Sequence, residues 1–171
     1  GSGAETLAVC CLNAHVNSHH ERAIAAAIAT ELPTLPISLS SDISPEFREF
    51  ERTSTTVLNA LLMPVVGDYL ARLENLLRGQ GLMAPVYLVQ SNGGVATPAI
   101  AASQPARLLL SGPSGGARAA EILAGTLGEK NLVAVDMGGT SFDVSLVQDG
   151  RIRLINLGEV DGCPVRLPMV E

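Results

Sequence analysis

The run Asp136-Met137-Gly138-Gly139-Thr140-Ser141-Phe142-Asp143 constrains the fold of this chain more than any other stretch. Apolar residues over 132–135 precede it and others over 144–147 follow it, so the pattern predicts a strand, a tight turn and a return strand. Asp149-Gly150 then predicts a turn into a third strand over 152–157. Paired glycines allow backbone conformations that a side chain forbids, and they let a ligand come close. The N–H groups of such a turn can hold phosphate oxygens, and Thr140 and Ser141 add hydroxyl donors. The carboxylates of Asp136 and Asp143 cannot bind phosphate themselves. They suit a site where Mg²⁺ lies between them and phosphate through water, or where one of them orients an attacking water. A hairpin whose Asp residues only cap the turn has the same spacing, and spacing alone leaves both readings open.

The rest of the chain alternates strand and helix. Residues 7–12 read as a buried strand, and 37–40 as a second. Between them Ser18 and Glu21 predict a capping box for a helix running to about Leu32, which Pro33 ends. The expected unit is a parallel, right-handed βαβ. His15, His19 and His20 fall in and after its loop, without carboxylate or cysteine partners at zinc-ligand spacing, so they read as a solvated loop. Ser44-Pro45 opens a long helical region with a charged front and apolar residues at helical spacing from Val57 to Leu77. Pro64 is expected to kink or break it. The polar run from Arg52 to Thr56 is a poor helix former, which suits either a solvated face or a site or domain contact.

Residues 85–90 read as a strand ending in Ser91-Asn92-Gly93-Gly94. In an open α/β sheet a loop at a strand's carboxyl end faces the ligand crevice, which makes Ser91 and Asn92 candidates for holding substrate; a simple Gly-rich turn is the alternative. Thr97-Pro98 predicts the start of a short helix, and 107–111 another strand. The Gly-rich run 112–116 leads into a helix over 117–127; an anion-binding loop is one reading, and the front of a closely packed connecting helix is the one preferred.

Composition narrows the class. The chain of 171 residues is 47% apolar, with three phenylalanines, two tyrosines and no tryptophan, so its core must be built from Leu, Val, Ile and Ala. A net charge of −6 without a basic stripe argues against nucleic acid as a partner. No apolar run is expected to reach membrane-spanning length. Gly1-Ser2-Gly3 reads as a cloning remnant, not a signal peptide. Cys10, Cys11 and Cys163 form no disulfide framework, which fits a reducing, cytoplasmic setting.

Five blocks, in order, resemble the hydantoinase A and 5-oxoprolinase family. They are residues 45–60, then Gln90-Ser91-Asn92-Gly93-Gly94, then Leu110-Ser111-Gly112-Pro113-Ser114-Gly115-Gly116, then the Asp136 run, then residues 158–170. More widely, the Asp136 run resembles the second phosphate motif of the acetate kinase, sugar kinase, chaperone and actin superfamily. Phe142 departs from the pattern, where Thr is more usual, so no polar role is expected of it. The resemblance implies an α/β, ribonuclease-H-like, actin-like ATPase fragment with a mixed sheet and a long helical connection. It implies the tail of an N-terminal lobe over 4–44, a helical connection over 45–84 and the start of a second lobe over 85–171. The first phosphate motif and the adenosine-contacting residues are missing, so the chain is expected to be a piece of a larger protein.

The implied activity is ATP-dependent opening of a cyclic amide such as a hydantoin or 5-oxoproline, with ATP and Mg²⁺ as cofactors. Gly138, Gly139, Thr140 and Ser141 are expected on phosphate, and Asp136 and Asp143 on the metal's water shell, with Asp136 as the catalytic candidate. Arg52, Ser91 and Asn92 are expected near substrate. A hydantoinase B-type subunit or domain and an oligomeric assembly are the implied partners. Two other functions fit the same motifs: a subunit of an ATP-dependent acetone- or acetophenone-type carboxylase, and a nucleotide-dependent switch or scaffold without turnover.

Overall fold

The computed structural model describes residues 3–109 and 111–171. The chain opens with β1 (Leu7–Val9), α1 (His19–Glu31) and β2 (Ile37–Leu39). β1 and β2 pair in parallel, Leu7 opposite Ile37, as expected of a βαβ unit. Their strands are shorter than expected, and beyond β1 the backbone turns at Asn13, whose φ is 57°. The expected capping box does not form, since Ser18 caps nothing with its side chain. Glu21 turns away and is fully buried. Its carboxylate accepts from the Cys11 N–H (2.9 Å), the Ser40 hydroxyl (2.6 Å) and the Ser41 N–H (2.9 Å). The two serines start the short helix α2 (Ser40–Ile43), so the carboxylate answers unpaired N–H groups at a helix start. Burial alone raises the Glu21 pKa, but these hydrogen bonds outweigh it and hold the group below the ordinary carboxylate value.

α3 (Glu49–Gly79) is the spine. It begins after Arg48, whose φ is 79°, not at Ser44-Pro45. It also runs unbroken through Pro64, against expectation. A proline removes a single intrahelical hydrogen bond, and a helix packed at both ends absorbs that loss. The first half of α3 packs on β1, β2 and α2. Its buried face is polar: Arg52, Thr55, Thr56 and Asn59 are all fully inaccessible. By length and composition α3 could cross a membrane, contrary to the sequence expectation, although its front half carries this buried polar stripe. Its second half sets Leu70 against Ala96 and Ala101.

β3 (Leu88–Val89) and β4 (Val95–Ala96) form a small antiparallel hairpin, not a strand of an open sheet. Thr97 caps α4 (Pro98–Ser103) by accepting from Ile100 N–H at 3.4 Å, as expected. The strand expected over 107–111 is replaced by a 3₁₀ turn, Pro105–Leu108, which Pro105 starts and Asn59 holds by accepting from Ala106 N–H at 3.1 Å. Leu110 lies outside the described residues. α5 (Ser111–Leu127) takes the glycine run 112–116 into its own first turns, so of the two readings of that run the helical one holds, with a start earlier than the expected residue 117. Pro113 suits that place, where a missing N–H costs nothing.

β5 (Leu132–Met137), β6 (Phe142–Gln148) and β7 (Arg151–Ile152) form an antiparallel sheet. Asp149 and Gly150, with φ of 52° and 78°, make the left-handed two-residue turn that a hairpin prefers. The third strand expected over 152–157 breaks after Ile152, and β8 (Leu154–Ile155) pairs instead with β11 (Met169–Val170). β9 (Gly158–Val160) and β10 (Cys163–Val165) close a hairpin over Asp161-Gly162. The α/β class and the long helix are therefore as expected, but the strands of the described residues form small separate sheets, not one mixed sheet. Short turns join β3–β4, β5–β6–β7 and β9–β10, whereas β1–β2 pair across α1 and β8–β11 across the β9–β10 hairpin. β1 and β2 do not join the β5–β6–β7 sheet. One face of that sheet packs Val147 on Ala120 and Ala124 of α5. The other face leaves Val133, Val135, Met137, Phe142, Val144 and Leu146 exposed.

Candidate functional site

Strand alternation decides which hairpin residues look toward α5. Leu132, Ala134 and Asp136 share one face of β5, and their cross-strand partners are Val147, Ser145 and Asp143. The apolar end of this face packs on α5. Its other end is Asp136 directly opposite Asp143. Between that end and the first turns of α5 lies a cleft of about 410 Å³. Pro113, Ser114, Gly116 and Ala117 form its helical wall, and Val170 and Glu171 also line it. The lining carries three carboxylates and neither lysine nor arginine. Side chains at directly opposed strand positions stand about 5 Å apart at Cβ, and like charges there destabilise the pair. A cation between Asp136 and Asp143 would remove that cost.

The turn beyond them begins one register pair further out, after Met137 and Phe142. Gly138 N–H donates to the Ser141 carbonyl at 3.0 Å, and the Ser141 hydroxyl donates to Asp143 Oδ2 at 3.1 Å. The expectation that both glycines take conformations barred to other residues is corrected here, for neither has a positive φ. What they provide is room. A side chain on Gly139 would meet nothing within 4 Å, and one on Gly138 would come 3.6 Å from the Ser141 carbonyl oxygen. The N–H groups of Gly139 and Thr140 meet no backbone acceptor among the described residues. Phe142 is exposed on the apolar outer face, in keeping with the absence of a polar role.

The other residues expected near substrate are engaged inside the protein. Arg52 is fully buried. Its Nη2 donates to the Cys11 carbonyl at 2.7 Å and its Nη1 to the Glu46 carbonyl at 2.8 Å. Nη1 also lies 3.2 Å from His15 Nδ1, and Glu49 stands 3.9 Å away. The guanidinium thus pins the loop after β1 to the front of α3, and it does not line the cleft. Ser91 is buried, with its hydroxyl on the carbonyls of Arg107 (2.8 Å) and Leu109. Asn92 accepts from Gly94 N–H at 2.8 Å, a local turn bond.

Ser114, Ser145 and Glu171 line the cleft but were not singled out from the sequence. Period-two alternation from Asp143 would have found Ser145. Ser114 was hidden because residues 112–116 read as loop. The described residues hold no cluster of three or more His, Cys, Asp or Glu suited to a metal. A pair of carboxylates completed by water is, however, how Mg²⁺ is commonly held.

The family model described as Hydantoinase/oxoprolinase matches residues 52–171. The caprolactamase alpha subunit of Pseudomonas jessenii is 34% identical over 155 residues, which cover 91% of this chain and 22% of that protein. The crystal structure of the ATP-dependent caprolactamase from the same organism superposes with a TM-score of 0.81 at 30% identity, covering 97% of this chain and 24% of the other. The nucleotide-free structure of an acetone carboxylase, from work on ATP-dependent acetone carboxylation, superposes with a TM-score of 0.76 at 28% identity, covering 98% and 24%. The chain thus spans about a quarter or less of the relatives it matches.

Proposed function

The chain belongs to the hydantoinase/oxoprolinase family, and from that premise we propose that it is the phosphate-binding segment of an ATP-dependent enzyme that opens a cyclic amide. The observation that carries this reading is the Asp136–Asp143 pair, opposed on the cleft face of the hairpin with no basic side chain in the lining. An acidic cleft takes phosphate only with a cation present. Asp136 and Asp143 would hold Mg²⁺ through water, and Mg²⁺ when bound would neutralise phosphate charge. Around it the chain's own groups divide the work. The residues from Gly138 to Ser141 stand at the end of the hairpin beyond the cleft lining, and there the N–H groups of Gly139 and Thr140 and the Thr140 hydroxyl would meet phosphate oxygens in the space that Gly139 leaves open. Ser141 orients the Asp143 carboxylate through its hydroxyl. Asp136 would accept a hydrogen bond from a water on the metal or orient the attacking water.

In the proposed reaction the terminal phosphoryl group of ATP passes to the amide oxygen of the ring. Water then adds to the activated carbon, the ring C–N bond breaks as its nitrogen takes a proton to leave an acyl phosphate, and a second water hydrolyses that to the opened acid and phosphate. Caprolactamase, a relative by sequence and by structure, supports a cyclic amide as substrate. The fold reading that goes with it is ribonuclease-H-like and actin-like. Residues 4–44 end one lobe, 45–84 connect, and 85–171 begin the second lobe. The exposed apolar face of β5 and β6 is where further parts of the larger enzyme would pack. A partner subunit is in keeping with the alpha-subunit relative. A reducing, cytoplasmic setting accords with three free cysteines.

Likeness to an acetone carboxylase keeps a second reading in play, in which the activated oxygen belongs to a ketone. The test is phosphate release by the full-length protein with Mg-ATP and either hydantoin or 5-oxoproline, or a ketone with bicarbonate. Stimulation by the amide is expected. Stimulation by ketone and bicarbonate alone would move the assignment to the carboxylases, and none by either would leave a nucleotide-dependent switch.

A further inference from the structure

Ser91 does not touch the cleft, yet two of its walls hang on it. Its N–H donates to the Arg107 carbonyl at 2.8 Å. Its hydroxyl reaches the same carbonyl at 2.8 Å and that of Leu109 as well. These bonds fix the Ser91 peptide against the segment that follows the 3₁₀ turn. The carbonyl of the same residue accepts twice, from the Ser114 hydroxyl at 2.7 Å and from Val170 N–H at 2.8 Å. Ser114 belongs to the first turns of α5 and Val170 to β11, and both line the cleft that Asp136 and Asp143 face. Ser91 itself is 1% exposed, so water cannot take over any of these bonds.

We propose that Ser91 is a positioning residue. It sets where the first turn of α5 and the end of β11 stand relative to the carboxylate pair, and so sets the width of the phosphate cleft. The inference rests on the nucleotide reading of that cleft. A hydroxyl with two carbonyls in reach holds its own peptide on one side, and through its carbonyl that peptide holds the two walls on the other. Alanine keeps the backbone bonds but releases the Leu109 carbonyl inside the protein. The peptide can then shift, and the walls shift with it. Small misplacements of binding groups weaken binding steeply even when no contact to ligand is deleted.

The test compares full-length Ser91→Ala, Ser91→Thr and Asp136→Asn with wild type, measuring Mg-ADP and Mg-ATP affinity, KM for ATP, kcat and melting temperature. The expected result is a rise of roughly tenfold in nucleotide Kd and KM for Ser91→Ala, with kcat at saturating ATP within about twofold. Ser91→Thr, which keeps the hydroxyl, should restore most of the affinity. A lower melting temperature with unchanged nucleotide affinity would overturn the proposal and leave Ser91 as packing. If Ser91→Ala does not fold, Ser91→Cys, with a weaker donor in the same place, should show the same affinity loss, and wild-type affinity in it overturns the proposal. If Asp136→Asn loses binding while Ser91→Ala keeps it, only the positioning role has failed. If both bind as wild type does, the nucleotide reading has failed, and the positioning role with it.

Discussion

The polar stripe of α3 and the carboxylate end of the β5–β6 hairpin use similar residues to opposite ends. On α3, Arg52, Thr55, Thr56 and Asn59 lie wholly inside the protein. The Asn59 amide donates to Ser38 Oγ and to the Ser103 carbonyl, both at 3.1 Å, and its oxygen accepts from Ala106 N–H. Thr55 accepts from Arg166 N–H at 2.8 Å, and Arg166 is paired with Glu46, whose carbonyl holds Arg52. Nearly every polar atom there is answered by protein; among the described residues the Arg52 Nε is the exception on that stripe. On the hairpin, Asp136 and Asp143 face each other and an open cleft, with a single hydroxyl from Ser141 between them and the turn. Polar residues that the protein satisfies hold the fold together, and those it leaves facing a cavity are available for a ligand.

If that contrast is right, substitutions on the stripe should cost stability, and those at the hairpin should cost binding. Arg52→Ala should have the largest effect on stability. It leaves the Cys11 and Glu46 carbonyls unpaired in the interior, at a cost of about 3–5 kcal/mol. Denaturant unfolding measures it, and a loss under about 1 kcal/mol would mean that the stripe does not hold the first unit to α3.

A smaller loss is expected from Glu21→Gln, which places a donor where three donors already point, and about 1–3 kcal/mol is expected in unfolding experiments. The same group gives a pH signature. Its folded-state pKa is below its unfolded value, so the unfolded chain binds the extra proton first. The stability it contributes is complete above the ordinary carboxylate range and is lost as pH falls through the lower, folded value. Wild type should therefore lose stability on acidification more steeply than Glu21→Gln, as melting temperature against pH would show. Parallel curves would remove Glu21 from the scaffold.

The smallest effect on stability is expected at the turn. Gly139→Val meets open space and no positive φ, so unfolding should change by about 0.5 kcal/mol or less. The branched side chain nevertheless fills the volume over the turn's N–H groups. Mg-nucleotide affinity of the full-length variant should fall at least tenfold by titration, and unchanged affinity would remove this turn from the phosphate site.

The hairpin was legible because strand periodicity, the Gly138-Gly139 turn and the Asp149-Gly150 turn are local signals, and local signals also found the βαβ unit and the Thr97 cap. The exact duties of Arg52, Ser91 and Glu21 were not legible. Their partners stand far off in the chain: Arg52 binds Cys11, Ser91 binds Arg107 and Ser114, and Glu21 binds Ser40. A polar residue reads the same in sequence whether protein or ligand answers it. Pro64 misled for a related reason, since propensity weighs one lost hydrogen bond while packing along α3 decides the outcome. The start of α5 was set too late because helix interiors disfavour glycine, whereas residues 112–116 stand in its first turns, with Pro113, Ser114 and Gly116 at the cleft and Gly115 against Val89.

The most direct measurement is ATP cleavage by full-length Asp136→Asn, with and without a cyclic amide, beside Mg-nucleotide titration and a melting curve. Asparagine keeps the size and removes the charge that a metal's water shell needs. A folded variant with wild-type melting, at least a hundredfold less amide-dependent phosphate release and weakened Mg-nucleotide binding is the expected result. A folded variant with near-normal turnover would contradict it and leave Asp136 as no more than a residue of the turn.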